Sequence, residues 1–164
     1  MSEERERRLA ELWDRSEIEQ VIQRLARATD GRDSAAICAC YHPGATDDHG
    51  AFRGTAEEFA AWVPAALAPF AATQHFLSPS RIELAGDTAR AETYCTAHHL
   101  FPPSDPGGER DSIMGLRYCD RFERRGGPWR IRERVCVWDY TYIVPVREKW
   151  PFGPGWQLGR PESF

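Results

Sequence analysis

The hydrophobic period of this chain changes once, near residue 73, and that change restricts the fold more than any motif does. Before it, apolar residues recur at helical spacing, and after it they alternate. Leu9, Leu12, Trp13, Ile18, Val21, Ile22, Leu25, Ala26 and Thr29 share one helical face, with charges on the other. Ser16 and Glu19 have the capping-box form, which starts the regular helix at Ser16 after an irregular or separate leader helix; Asp30-Gly31 ends it. A short helix is expected over Asp33 to Tyr41, stopped by His42-Pro43-Gly44. A third helix opens at Thr55, with Glu58 completing a capping box, and runs to about Leu67. Ala45 to Arg53, polar and interrupted by Gly50, reads as a short strand or hairpin at a pocket mouth.

Four long strands follow: Gln74 to Leu84, Thr88 to Phe101, Ser112 to Arg124 and Trp129 to Val144. Ala85-Gly86-Asp87 and Arg125-Gly126-Gly127-Pro128 are tight turns, and Pro102 to Glu109 is a longer connection. Helices followed by a meander predict an α+β fold, a strongly curved antiparallel sheet wrapped around N-terminal helices as a cone-shaped barrel with one pocket. At 164 residues there is room for one domain, expected over residues 1–144. Residues 145–164 have no period and are expected to form an irregular aromatic arm bearing Trp150, Phe152 and Trp156.

A formal charge of −4 leaves no basic footprint for nucleic acid, so a small molecule is the expected partner. No apolar run reaches membrane-spanning length and the N-terminus lacks the apolar stretch of a secretion signal, so a soluble cytoplasmic protein is expected. The five cysteines are scattered without a Cys-x-x-Cys pair, which argues against a disulfide framework and a zinc site. Asp47-Asp48-His49 resembles a metal cluster, but consecutive strand residues alternate faces, so no metal and no cofactor are expected. Glycine-rich phosphate loops and nucleophile elbows are absent.

Candidate site residues are polar groups at pocket-facing positions. Asp30 closes the first helix, where its charge opposes the helix dipole and is better explained by a specific partner than by capping. His75 opens the first long strand in a half-apolar setting; paired with an aspartate, it has the logic of a general base, and otherwise it is a satisfied core histidine. Ala91, Thr93, Cys95, Ala97 and His99 share a small-residue face that can border a cavity, favouring His99 over His98. Arg134, Cys136, Trp138 and Tyr140 share a face of the last strand; Arg134 there either holds an anion or a carbonyl oxygen or forms a salt bridge.

Four segments, EIEQVIQRLARATDGRD from Glu17, YHPGATDDHGAFRG from Tyr41, the strand opening at His75, and YCDRFERRGGPWRIRERVCVWD from Tyr118, are similar in order and content to the SnoaL-like branch of the nuclear-transport-factor-2-like superfamily. That branch holds scytalone dehydratase, bile acid 7α-dehydratase, hexachlorocyclohexane dehydrochlorinase and polyketide cyclases. The resemblance implies that Asp30 and His75 are the catalytic dyad, that Arg134 is a pocket arginine and that Tyr118 lines the pocket. It also shows departures: Leu25 stands where relatives carry a tyrosine or lysine that assists the leaving group, and Ala97 replaces an acidic residue. An acid must then come from His99, Tyr118, His49, Asp48 or water, and His49, Asp48, Leu25, Ala97, His99 and Trp138 are the expected substrate contacts.

The function this implies is a cofactor-independent lyase, dehydratase-like, acting on an apolar cyclic or aromatic hydroxylated small molecule through an Asp–His general base. The alternatives are an isomerase or cyclase in the same pocket, or a non-catalytic ligand-binding or structural subunit resembling dioxygenase β subunits. A homo-dimer or homo-trimer is expected on the outer face of the sheet, where Tyr94 lies, with the aromatic arm near the contact.

Overall fold

A computed structural model describes residues 2–149 and 151–156. Helix α1 spans Glu3–Gly31 without a break. The expected start at Ser16 is corrected: Ser2 caps the helix, its hydroxyl accepting from the Arg5 amide, and Glu3, Glu4 and Glu6 suit the positive end of the dipole. What distinguishes the leader is burial, since Leu9, Leu12 and Trp13 are exposed while Ile18, Val21, Ile22, Leu25 and Ala28 are buried. Arg32 ends the helix in the left-handed conformation at φ 57°, its amide reaching back to the last turn.

Helix α2 covers Ser34–Ala39, capped by Asp33. Strands β1, Tyr41–Asp48, and β2, Arg53–Thr55, form the hairpin expected here. Helix α3, Ala56–Leu67, begins with a complete capping box between Thr55 and Glu58.

Strands β3 (Ala72–Leu77), β4 (Arg81–Ala85), β5 (Thr88–Leu100), β6 (Arg110–Arg124) and β7 (Trp129–Pro145) complete an open seven-stranded sheet ordered β2-β1-β7-β6-β5-β3, with β4 also on β5. The stretch expected as one strand from Gln74 to Leu84 is two. Pro79 has no amide to give a ladder, so the chain breaks at Ser78-Pro79-Ser80; β3 pairs with the Cys95–Leu100 end of β5 and β4 with its Thr88–Glu92 end. All pairings are antiparallel except β1 with β7, which is parallel, so the curved sheet is mixed.

The core is in two parts. Ile18, Val21, Ile22, Leu25, Ile37, Phe59, Phe122, Trp129 and Ile131 fill the space between helices and sheet. A smaller cluster of Cys95, Ala97, Met114, Leu116, Tyr118 and Cys136 lies farther along the concave face. Helix α1 is pinned to the β6–β7 hairpin by Asp14, which accepts from Trp129 Nε1 at 2.9 Å and from Arg124 at 2.6 Å. Beyond β7, Phe152 and Trp156 touch each other and remain exposed, and Trp150 lies outside the described residues.

The Thr55–Glu58 box satisfies two backbone donors at the start of α3, the helix that roofs the concave face. Thr55→Ala should lower the free energy of urea unfolding by about 1 kcal/mol without changing the native circular dichroism spectrum.

Candidate active site

Asp30 lies in the last turn of α1 and His75 in the middle of β3, and the contact between these two elements brings them together. His75 Nδ1 lies 2.6 Å from Asp30 Oδ1, and the His75 amide donates to Asp30 Oδ2 at 3.2 Å. A carboxylate only accepts, so the ring proton sits on Nδ1 and Nε2 keeps its lone pair. Burial pushes the imidazole down to about 4, and the positive Arg134 acts in the same direction, so the ring is neutral at pH 7. Nε2 is the ring's basic atom, and His99 approaches edge-on with ring centroids 5.6 Å apart.

His75 borders a cavity of about 120 Å³ whose walls are Phe59, Trp62, Val63, Leu67, Met114 and Leu116. Its polar lining comes from His49, His99, Tyr118 and Thr29. A wider groove of about 740 Å³, between α1 and β3, also touches Asp30 and His75. The groove mixes polar and apolar residues in near-equal measure, whereas the cavity sets mostly apolar walls around a few converging polar groups, the composition of a small-molecule site.

Of the expected contacts, Ala97, His49, His99, Tyr118 and Trp138 line the cavity, Trp138 at its exposed rim. Burial also lowers His99 to about 4, and its Nε2 is buried without a partner, which makes it an open hydrogen-bonding atom on the wall. Burial, with Cys95 beside it, raises the Tyr118 phenol well above its usual range.

Three expected residues are placed elsewhere. Leu25 is buried in the core cluster between helix and sheet and is not on the cavity wall. Asp48 alternates to the outer side of β1 and pairs with Arg53 at 2.6 Å. Arg134 is 3% exposed and forms two parallel bonds of 2.7 Å to Asp120, its guanidinium 4.0 Å from the Tyr118 ring, so it backs the cavity wall instead of lining it. The shared face expected for Arg134 through Tyr140 ends at Trp138: a bulge at Asp139 turns Tyr140 outward, over Gly115.

Asp47 is the residue sequence reasoning passed over. It is 1% exposed, accepts from the Tyr41 hydroxyl at 2.5 Å, and bonds His49 Nδ1 through its other oxygen. His49 is the first residue after β1 and lies two residues beyond Asp47, the spacing that puts extended-chain side chains on one face, a signal that was present in the sequence. Across the sheet Asp47 pairs in register with Arg134, and Arg134 with Asp120, giving an anion–cation–anion rung on β1, β7 and β6. No group of three or more His, Cys, Asp or Glu among the described residues could hold a metal. Also among the described residues, no helix is long and apolar enough to cross a membrane.

Removing the cation from this rung leaves buried carboxylates without compensation. Arg134→Met should cost about 3–5 kcal/mol in urea unfolding, and Arg134→Lys, which lacks the planar fork, should fall between it and the parent.

The SnoaL-like domain family matches residues 10–135. An uncharacterized protein of Mycobacterium tuberculosis is 30% identical over 132 residues, covering 77% of this chain and 86% of its own. A hexachlorocyclohexane dehydrochlorinase from Novosphingobium barchaimii superposes with a TM-score of 0.75 at 16% identity, over 87% of this chain and 98% of that one. A protein designated a scytalone dehydratase, from Novosphingobium aromaticivorans, gives 0.71 at 19% identity over 88% and 97%. At such identities the structural likeness speaks to the fold; with the family match over most of its length, the chain belongs to the SnoaL-like family.

Proposed function

We propose that the protein is a cofactor-independent lyase that removes water from a small, mostly apolar cyclic or aromatic hydroxylated compound. The observation that carries this reading is the Asp30–His75 hydrogen bond of 2.6 Å on the wall of an apolar cavity. Asp30 holds the tautomer and orientation of the imidazole and stabilises the imidazolium that forms, while Nε2 takes a proton from carbon. A carrier or structural role needs no such pair at the cavity wall, and its presence there supports catalysis over that alternative. Tyr118 and His99 supply hydrogen bonds to a substrate oxygen, and Phe59, Trp62 and Leu116 exclude water around the carbon being deprotonated. Kinship in fold with a dehydrochlorinase and a protein designated a dehydratase supports an elimination in this cavity.

A homo-oligomer on the outer face of the sheet completes the proposal. Phe76, Tyr94, Tyr140 and Tyr142 are each more than half exposed there, more aromatic surface than a monomer ordinarily leaves to water.

His75→Ala should lower kcat by about 10²-fold or more on any substrate found by screening cyclic alcohols for a new ultraviolet chromophore, since general-base catalysis contributes at least that order. Undiminished turnover would remove His75 from the mechanism. Because the ring must be neutral to accept a proton, kcat/KM should hold from pH 7 down to about 5 and fall as the pH drops through about 4. The same depressed value means that the unfolded chain takes up the His75 proton first. The stability linked to this ring is thus complete above about pH 6.5 and is lost as pH falls toward about 4, which denaturation at several pH values reads directly. Light scattering should give a mass of at least two chains, and Tyr94→Lys combined with Tyr140→Lys should give one.

A further inference from the structure

The cavity holds a second Asp–His pair that the elimination by His75 does not use. Asp47 sits on β1 with His49 the first residue after it, and His75 sits on β3; these strands lie toward opposite ends of the sheet order, so the two imidazoles reach the cavity from opposite walls. The His49 ring is held on three sides. Its Nδ1 bonds Asp47, its face stacks on Phe59 at 4.5 Å and 18°, and Tyr118 lies at 6.1 Å. Both oxygens of Asp47 are occupied, one by the Tyr41 hydroxyl and one by His49, so Nδ1 is the protonated nitrogen and Nε2 is the atom left for a ligand.

That nitrogen belongs to a ring tied directly to the ionic rung, since its other nitrogen bonds Asp47. The buried rung contains two carboxylates, Asp47 and Asp120, and one guanidinium, Arg134, all at most 3% exposed. Tyr41 and Tyr118, the phenols around it, stay neutral because burial raises both. His49 is the titratable ring bonded to the rung, through Asp47, and Phe59 holds its face in place. The other polar groups on the wall lack this support: His99 is neutral at pH 7, and Tyr118 is a weaker acid than a free phenol.

We propose that His49, positioned by Asp47, is the general acid of this cavity and delivers its Nε2 proton to the departing hydroxyl oxygen, which suits the site to leaving groups that need protonation. The proposal rests on the elimination reading. His75 Nε2 takes the proton from carbon, the C–H electron pair becomes the new C=C bond, and the C–O bond breaks with its electrons going to oxygen. That oxygen takes the proton from His49 and leaves as water. His75 ends protonated and His49 neutral, and proton exchange with solvent restores both. Halide departs as an anion without a proton, so it draws nothing from His49.

The test uses the full chain and a pair of probes, 3-hydroxycyclohexanone and 3-chlorocyclohexanone, followed by the absorbance of the common enone product after subtracting the uncatalysed rate. His75→Ala should lower turnover of both by about 10²-fold or more. His49→Gln keeps a hydrogen bond to Asp47 but has no proton to give, and should lower the ratio of hydroxy to chloro kcat by about 10²-fold, the lower range of general-acid catalysis. Asp47→Asn should lower the same ratio and shift the basic limb of the hydroxy-probe pH profile to lower pH, an effect that a purely structural role would not produce. Should His49→Gln melt below the assay temperature, His49→Asn is read in the same way. A ratio that stays within about threefold of the parent in the His49 variant overturns the proposal while leaving His75 as base. If the parent protein turns over neither probe, the elimination reading itself falls and takes the proposal with it.

Discussion

Two carboxylates and one guanidinium side by side on the inner face of a sheet set conditions that much of this structure has to meet. Asp47, Arg134 and Asp120 come from three neighbouring strands, and each is almost fully buried. Desolvating such groups is costly, and the cost is offset only when geometry is good and remaining lone pairs are filled. Here the filling is complete on the Asp47 side: Arg134 grips Asp120 through both of its oxygens, while Tyr41 and His49 occupy Asp47. The parallel register of β1 against β7 brings Asp47 beside Arg134. The ionic rung therefore couples the one parallel pairing of the sheet to the wall of the cavity, with Tyr118 lying against the guanidinium as the layer between.

The cavity is bounded by elements whose sequence neighbours are unremarkable. Helix α1 ends in Asp30, a residue at odds with the dipole of its own helix, and the structure resolves the conflict by giving both carboxylate oxygens to His75. Helix α3 lays Phe59, Val63 and Leu67 over the sheet, and Phe59 serves at once as core and as the platform for His49. Five histidines occur in the chain and three of them line the cavity. A fourth, His98, alternates to the outer face and pairs with Asp111, which shows how sharply the strand period sorts these side chains.

Much of this was legible in the sequence because it depends on local rules. The change of period separated helices from sheet, the capping box of Thr55 and Glu58 placed α3, and the glycine-rich turns placed the hairpins of β4 with β5 and β6 with β7. Asp30 and His75 were identifiable as a pair, one by its misfit with the helix dipole and both by the likeness of their segments to SnoaL-like proteins. Alternation alone put Ala97 and His99 on the cavity face and also placed Asp47 beside His49, although chemistry was sought in Asp48.

What the chain by itself determined, then, is the type and order of its elements and which residues share a face, since helical and strand periods are properties of the backbone. Tertiary structure decided the rest. The parallel partner of β1, the bulge at Asp139 that turns Tyr140 outward, and the split of β3 from β4 around Pro79 all depend on what lies across the sheet. Whether Arg134 holds a substrate or a carboxylate could not be read from its strand, because Asp120 is fourteen residues away in sequence and one strand away in space. A buried charge takes its role from its nearest counter-charge, and only the folded sheet brings the two within 2.7 Å.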